Sequence, residues 1–309
     1  MRLFYTDCFV LPLPAGHRFP MAKYARLRER AQTSGRLREA RFEIPPAATD
    51  DELGLAHDPD YVRRVSAGEL SEREVRRIGF PWSPGMVERS RRSTGATLAA
   101  SRAALVEGLA VNLAGGTHHA GRAHGEGYCV FNDAAVTATV LRREGLVERV
   151  AVVDCDVHQG NGTAEILGEE PWAFTFSLHG AKNFPFRKAR SHLDLALEDG
   201  AGDEVFLGAV EEGLRAAVDG FRPDLVIYLA GADPYAGDSL GRMCVTKEGL
   251  KARDRRVLER CRARDIPVAI AMAGGYAKDI DDIVDIHLAT LEIAHELCAL
   301  ERAGRRAAS

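Results

Sequence analysis

Arg149-Val150-Ala151-Val152-Val153-Asp154-Cys155-Asp156-Val157-His158-Gln159-Gly160-Asn161-Gly162 is an apolar run that breaks into a polar, glycine-rich cluster. A short run rich in valine and closed by glycine reads as a strand buried on both faces. Strand side chains alternate, so Asp156 and His158 are predicted to point the same way and to offer an oxygen and an imidazole nitrogen to one point. That point could hold a divalent metal ion.

Four more runs share this design: LAVNLAG (109–115), AFTFSL (173–178), DLVIYLAG (224–231) and PVAIAMAG (267–274). Helical patterns such as 132–144 and 205–221 separate them, so the chain reads as repeated βα units. The expected fold class is α/β, a mainly parallel sheet flanked by helices. Polar, glycine-rich clusters follow four of the five strands: GGTHHAG, DVHQGNG, GADPYAGD and GGY. Ligand sites of open α/β sheets lie outside the carboxyl ends of the strands, so these clusters should converge. Before residue 109 the chain reads as helical over 22–32, 59–67 and 86–107. No linker or repeat interrupts it, and residues 1–309 are expected to form a single domain. Arg18, Lys23, Arg26, Arg28, Arg30, Arg36, Arg38 and Arg41 form a basic stretch, read as a solvated helix face.

A net charge of −4 with 46% hydrophobic residues gives no whole-chain argument for nucleic acid or membrane partners. The first residues, MRLFYTDCFVLPLP, lack the apolar core of a signal peptide, and no apolar run has spanning length. Six cysteines without a C-x-x-C pair argue against a disulfide framework and a thiolate zinc site, so a cytoplasmic location is expected.

Two ligands make a weak site, and catalytic zinc usually takes three. Asp233 is the best third candidate, since it follows the run DLVIYLAG with small residues that permit close backbone approach; the bland alternative is a turn residue before Pro234. The pair His118-His119 brings two imidazoles to the same side, as metal ligands or as proton-transfer groups. Tyr276 could donate to an oxyanion. Asp154 could orient a histidine or bind another cation.

Taken in order, GGTHHA, Gly127-Tyr128-Cys129, DCDVHQGNG, SLH (177–179), GADPYAGD and GGY resemble the zinc-dependent histone deacetylase family of the arginase/deacetylase fold. HRFPM (17–21), GFPWSP (79–84) and HQGNG look most like its class IV branch and bacterial relatives. The resemblance implies that Asp156, His158 and Asp233 hold Zn²⁺, with Fe²⁺ possible on the same ligands. It further implies His119 as general base and acid, His118 as an electrostatic assistant and Tyr276 as oxyanion stabiliser. By the same similarity, Asp154, Ser177 and backbone carbonyls of Asp156, His158 and Leu178 would hold K⁺ or Na⁺. Gly127, Tyr128, Phe184 and Gly275 would line an acyl-lysine tunnel, and Arg18 would stand near a product channel.

Asn161 stands where many class I members carry an aspartate behind the general base, and a neutral partner stabilises imidazolium less. No counterpart of the class I rim aspartate is found in GFPWSPGMV. The missing aspartate argues against histone-like peptides; the resemblance implies hydrolysis of acyl-lysine in a protein or peptide, and the alternative substrate is an acylated small amine such as an acetylpolyamine. A non-catalytic acyl-ligand binder is the remaining alternative. A binuclear manganese ureohydrolase would need further bridging carboxylates, which are absent.

Overall fold

The computed structural model describes the backbone of residues 1–308 and the side chains of residues 1–299. Its strands are β1 (Arg2–Phe4), β2 (Arg41–Glu43), β3 (Leu109–Asn112), β4 (Val150–Asp154), β5 (Ala173–Gly180), β6 (Leu193–Leu197), β7 (Leu225–Leu229) and β8 (Val268–Ala271). They form one sheet in the order β2-β1-β3-β8-β7-β4-β5-β6, and every pairing between neighbours is parallel. The five strands expected from the sequence are its contiguous centre.

Alternation within the central strands builds two cores. Ala151, Val153, Val226 and Tyr228 face one, with Leu27, Phe206, Leu250 and Ile283 from helices Ala22–Thr33, Asp203–Leu214, Lys247–Arg262 and Ile280–Ala308. Val150, Val152, Leu225 and Ile227 face the other, with Val65, Leu98 and Val136 from helices Pro59–Ala67, Pro84–Glu107 and Asp133–Arg143. Such two-sided cover makes the central strands apolar throughout. No described helix is long and apolar enough to cross a membrane.

The first 108 residues hold more than the three expected helices: β1 and β2 lie outside those ranges and are not expected from the sequence. Both are three residues long, β2 half-exposed at the sheet edge and β1 between β2 and β3, so neither has an apolar run long enough to reveal it. The basic stretch is also mixed. Arg26 and Arg30 pair with Asp281 and Asp285 at 3.0 and 2.8 Å on the surface, whereas Lys23 is buried.

Candidate metal centre and active site

β4 ends at Asp154, so Asp156 and His158 lie in the bend that follows rather than in the strand. Their shared direction comes from that bend. Asp156 Oδ1 accepts the His158 backbone N–H at 2.9 Å and stands 3.0 Å from His158 Nδ1. Asp233, beyond the end of β7, accepts the Val157 N–H at 2.9 Å through Oδ1, and its Oδ2 lies 3.2 Å from His158 Nδ1. Donor atoms of Asp156, His158 and Asp233 all fall within 4.8 Å of one another, and all three residues are buried.

The electrostatics fit a cation. Burial, reinforced by the charge of Asp156, pushes Asp233 up to about 7. Burial works against a proton on His158, but Asp156 and Asp233 outweigh it and hold the imidazole at about 10. Asp233 Oδ2 makes no hydrogen bond. Two buried carboxylates balanced by one proton, with an oxygen left over, are a donor set that a divalent ion completes, and N/O donors suit Zn²⁺ or Fe²⁺.

His118 and His119 have different partners. His118 Nδ1 stands 2.6 Å from Asp154 Oδ2, and His119 Nδ1 stands 2.6 Å from Asn161 Oδ1. For His118, burial opposes the proton, but the carboxylates of Asp154 and Asp156 hold it at about 9. Burial, and then the charges of His118 and His158, hold His119 well below its ordinary value. The pair therefore combines one imidazolium with one neutral imidazole.

His119 lies edge-on to Phe184 with ring centroids 4.9 Å apart, and a β-carbon on Gly127 would approach His119 Cδ2 to 2.8 Å. Gly127 (φ 56°) and Tyr128 (φ 66°) form a tight turn stapled to the chain opposite by Gly127 N–H to Arg77 O and Tyr128 N–H to Ile78 O. Tyr276 follows Gly274-Gly275; its ring lies 6.2 Å from that of His158, and its N–H donates to Asp238 Oδ2 at 2.6 Å. Burial, then the charges of Asp156 and Asp233, push its phenol well above the usual range, so it stays a donor. Phe184, Gly127, Tyr128 and Tyr276 open onto a mouth that also bears Arg76, Arg77, Lys182, Arg242 and Glu126.

Asp154 and Ser177 sit opposite each other in register on β4 and β5, and Gly180 N–H to Val157 O ties the β5 end to the 156–158 bend. The residues implied as a monovalent-cation site, Leu178 included, are thus neighbours. Arg18 is exposed. It does not line the inner cavity of about 70 Å³ behind the histidines, where Arg89, Tyr24 and Leu11 meet Asp156. Arg89 is the buried arginine there, held by Thr6 O and Oγ1.

Other site residues escaped the sequence reading. Lys23 donates to the carbonyls of Ala273 and Gly275 at 3.3 Å each and lies 5.3 Å from the Tyr276 ring centroid. The signal was present: Lys23, Leu27 and Ala31 recur every four residues on the buried helix face. Asp238, which aligns Tyr276, and Glu126 carried no such signal.

A parallel sheet with carboxylates, a histidine pair and a glycine-flanked tyrosine at its carboxyl ends defines an α/β protein of the arginase/deacetylase type. The chain belongs to the family with the histone deacetylase domain, whose pattern matches residues 17–291. It is 42% identical over 92% of its length to an uncharacterised protein of Picosynechococcus sp., covering 94% of that protein. It is 30% identical over 86% of its length to the histone deacetylase-like amidohydrolase of Pseudomonas aeruginosa, covering 74% of it. Among solved structures, the HDA15 HD domain superposes with a TM-score of 0.80 over 97% of this chain and 94% of that one, at 21% identity. An HDAC homologue complexed with SAHA gives 0.79 over 95% and 83%, at 23% identity.

Proposed function

We propose that the protein is a zinc-dependent deacylase that hydrolyses acyl-lysine amides of a protein or peptide. One arrangement carries the reading: His119, the Tyr276 phenol and the three-donor group Asp156, His158 and Asp233 lie together where Phe184 and Gly127 line the mouth. Asp156, His158 and Asp233 would hold the ion. Once bound, a divalent ion supplies Lewis acidity toward a carbonyl oxygen and toward water.

The chain's own groups account for the rest. His119 Nε2 accepts a proton from the attacking water and returns it to the leaving amine, and neutrality is what this role requires. His118, protonated against Asp154, stabilises developing negative charge, while the Tyr276 phenol donates to the carbonyl oxygen as it becomes anionic. Phe184, Gly127 and Tyr128 leave a narrow apolar path for an extended lysine side chain. Asp154, Ser177 and the neighbouring carbonyls of Asp156, His158 and Leu178 would take K⁺ or Na⁺.

Charge at the mouth favours acyl-lysine over acetylpolyamine. Among the described residues Arg76, Arg77, Lys182 and Arg242 line it, paired with Glu72, Glu126, Glu198 and Asp199 respectively, and the one lining carboxylate, Glu126, is occupied by Arg77, so no free carboxylate awaits a cationic amine. A free polyamine keeps cationic amines near these groups, whereas a peptide need not. Class IV-like character fits Asn161 and the HRFPM segment.

The test is turnover by purified, zinc-loaded protein on acetyl-, trifluoroacetyl- and myristoyl-lysine peptides alongside acetylated polyamines. Hydrolysis of at least one peptide class, faster than of any polyamine, is expected. No turnover of any acyl-lysine peptide overturns the reading.

A further inference from the structure

Asn161 faces two ways. Its Oδ1 stands 2.6 Å from His119 Nδ1, and its Nδ2 donates to Glu126 Oε1 at 3.3 Å. Glu126 is in turn gripped by Arg77 through its other oxygen, and only 13% of its side chain is exposed. Its backbone is fixed as well: Glu126 and Cys129 exchange N–H···O bonds of 2.9 Å, and the turn between them is stapled to Arg77 and Ile78.

A carboxylate behind a histidine needs no orienting, because both of its oxygens accept. Asp154 behind His118 is that case. An amide has an accepting end and a donating end, and the wrong end toward His119 would select the wrong tautomer. With Oδ1 toward the ring, Nδ1 carries the proton and Nε2 keeps its lone pair for the tunnel. With Nδ2 toward the ring, Nδ1 would accept and Nε2 would hold a proton, leaving it unable to act as a base. Glu126, an acceptor only, permits just the first arrangement.

We propose that Glu126 is a positioning residue for His119: anchored by Arg77, it locks the Asn161 amide and thereby the Nδ1–H tautomer of His119. The catalytic consequence rests on the deacylase reading above; the tautomer does not.

The test compares Glu126→Ala and Glu126→Gln in the natural protein and in Asn161→Asp, with thermal unfolding as the folding control. In the natural protein Glu126→Ala should lower kcat about ten-fold or more with KM within about two-fold, whereas Glu126→Gln, which keeps an accepting oxygen, should restore most of the rate. In Asn161→Asp, whose carboxylate needs no orienting, Glu126→Ala should cost much less, a non-additive cycle. Equal losses in both backgrounds, or a change confined to KM, overturn the proposal. Long-range ¹H–¹⁵N NMR of His119 reads the tautomer without turnover: Nδ1–H in the natural protein and a mixture in Glu126→Ala. An unchanged tautomer in Glu126→Ala overturns the proposal even if no acyl-lysine is hydrolysed, and inactivity of the natural protein counts only against the deacylase reading.

Discussion

A β-carbon placed on Gly274 would stand 2.0 Å from Asp233 Oδ2 and 2.5 Å from Asp156 Oδ2. The Gly274 N–H itself donates to Asp156 Oδ2 at 2.7 Å. The absence of a side chain lets two carboxylates share this point, which is what a metal centre here requires.

Gly274→Ala should therefore weaken zinc binding by about 10- to 100-fold, the usual cost of disturbing the support of a metal ligand. In the natural protein, free zinc at 100 times its Kd should add about 2.7 kcal/mol of stability, and chelation should remove it. Zinc titration followed by calorimetry and thermal unfolding measures both. Equal zinc affinity in the two proteins would show that the carboxylate pair is not the ion's seat.

Tyr276→Phe removes a donor while keeping the ring beside His158. Turnover on an acyl-lysine peptide should fall by about 10²- to 10³-fold, as for loss of an oxyanion donor. Peptide affinity, measured by fluorescence anisotropy, should stay within about two-fold, because the loss is confined to the transition state. Full activity in this variant would remove Tyr276 from the reaction.

His57 predicts a pH dependence remote from the metal centre. It is buried, with Nδ1 2.9 Å from Gly121 O and Nε2 accepting the Asn132 N–H at 2.9 Å. Burial holds it at about 4, below its ordinary 6.5. The unfolded chain thus binds the proton first, so stability is intact above about 6.5 and falls as pH drops toward about 4. The loss should reach roughly 3 kcal/mol. Urea unfolding of the natural protein and of His57→Asn across this window checks it: the variant should start less stable and show a flatter slope. Parallel slopes would refute the assignment.

Arg253 and Asp254 are fully buried beneath the end of β7. Arg253 Nη1 donates to Gly231 O at 2.5 Å, and Asp254 accepts from Tyr228 at 2.5 Å and from Thr290 at 2.6 Å. Arg253→Met leaves Asp254 without its counter-charge and should cost about 3 to 5 kcal/mol. Chemical denaturation measures this. A loss below about 1 kcal/mol, the range of an exposed ion pair, would mean that the pair does not hold the Asp233 loop.

The central strands were legible because burial on both faces leaves them apolar from end to end, and β3, β8, β7, β4 and β5 were read correctly from that alone. β1, β2 and β6 lie at the sheet's flanks; β6, Leu193–Leu197, alternates with Asp194 and stays half-exposed, so its pattern is diluted. The Asp156–His158 spacing predicts a shared direction, which the structure has, but a bend rather than strand alternation aligns them. Residues that act across the fold were the least legible. Arg89 reaches the inner cavity from a helix, and Glu126 gains meaning only beside Asn161, 35 positions later. No local pattern encodes such meetings.

β7, which delivers Asp233, lies between β8 and β4 in the sheet, and Asp233 follows His158 by 75 positions. During synthesis the first two donors emerge long before the third, and Gly274, which completes the carboxylate cradle, emerges later still. Such non-local assembly is slow compared with helix formation. Metal capture at this centre would therefore come late, marking a chain in which β4, β7 and the Gly274 turn have already met.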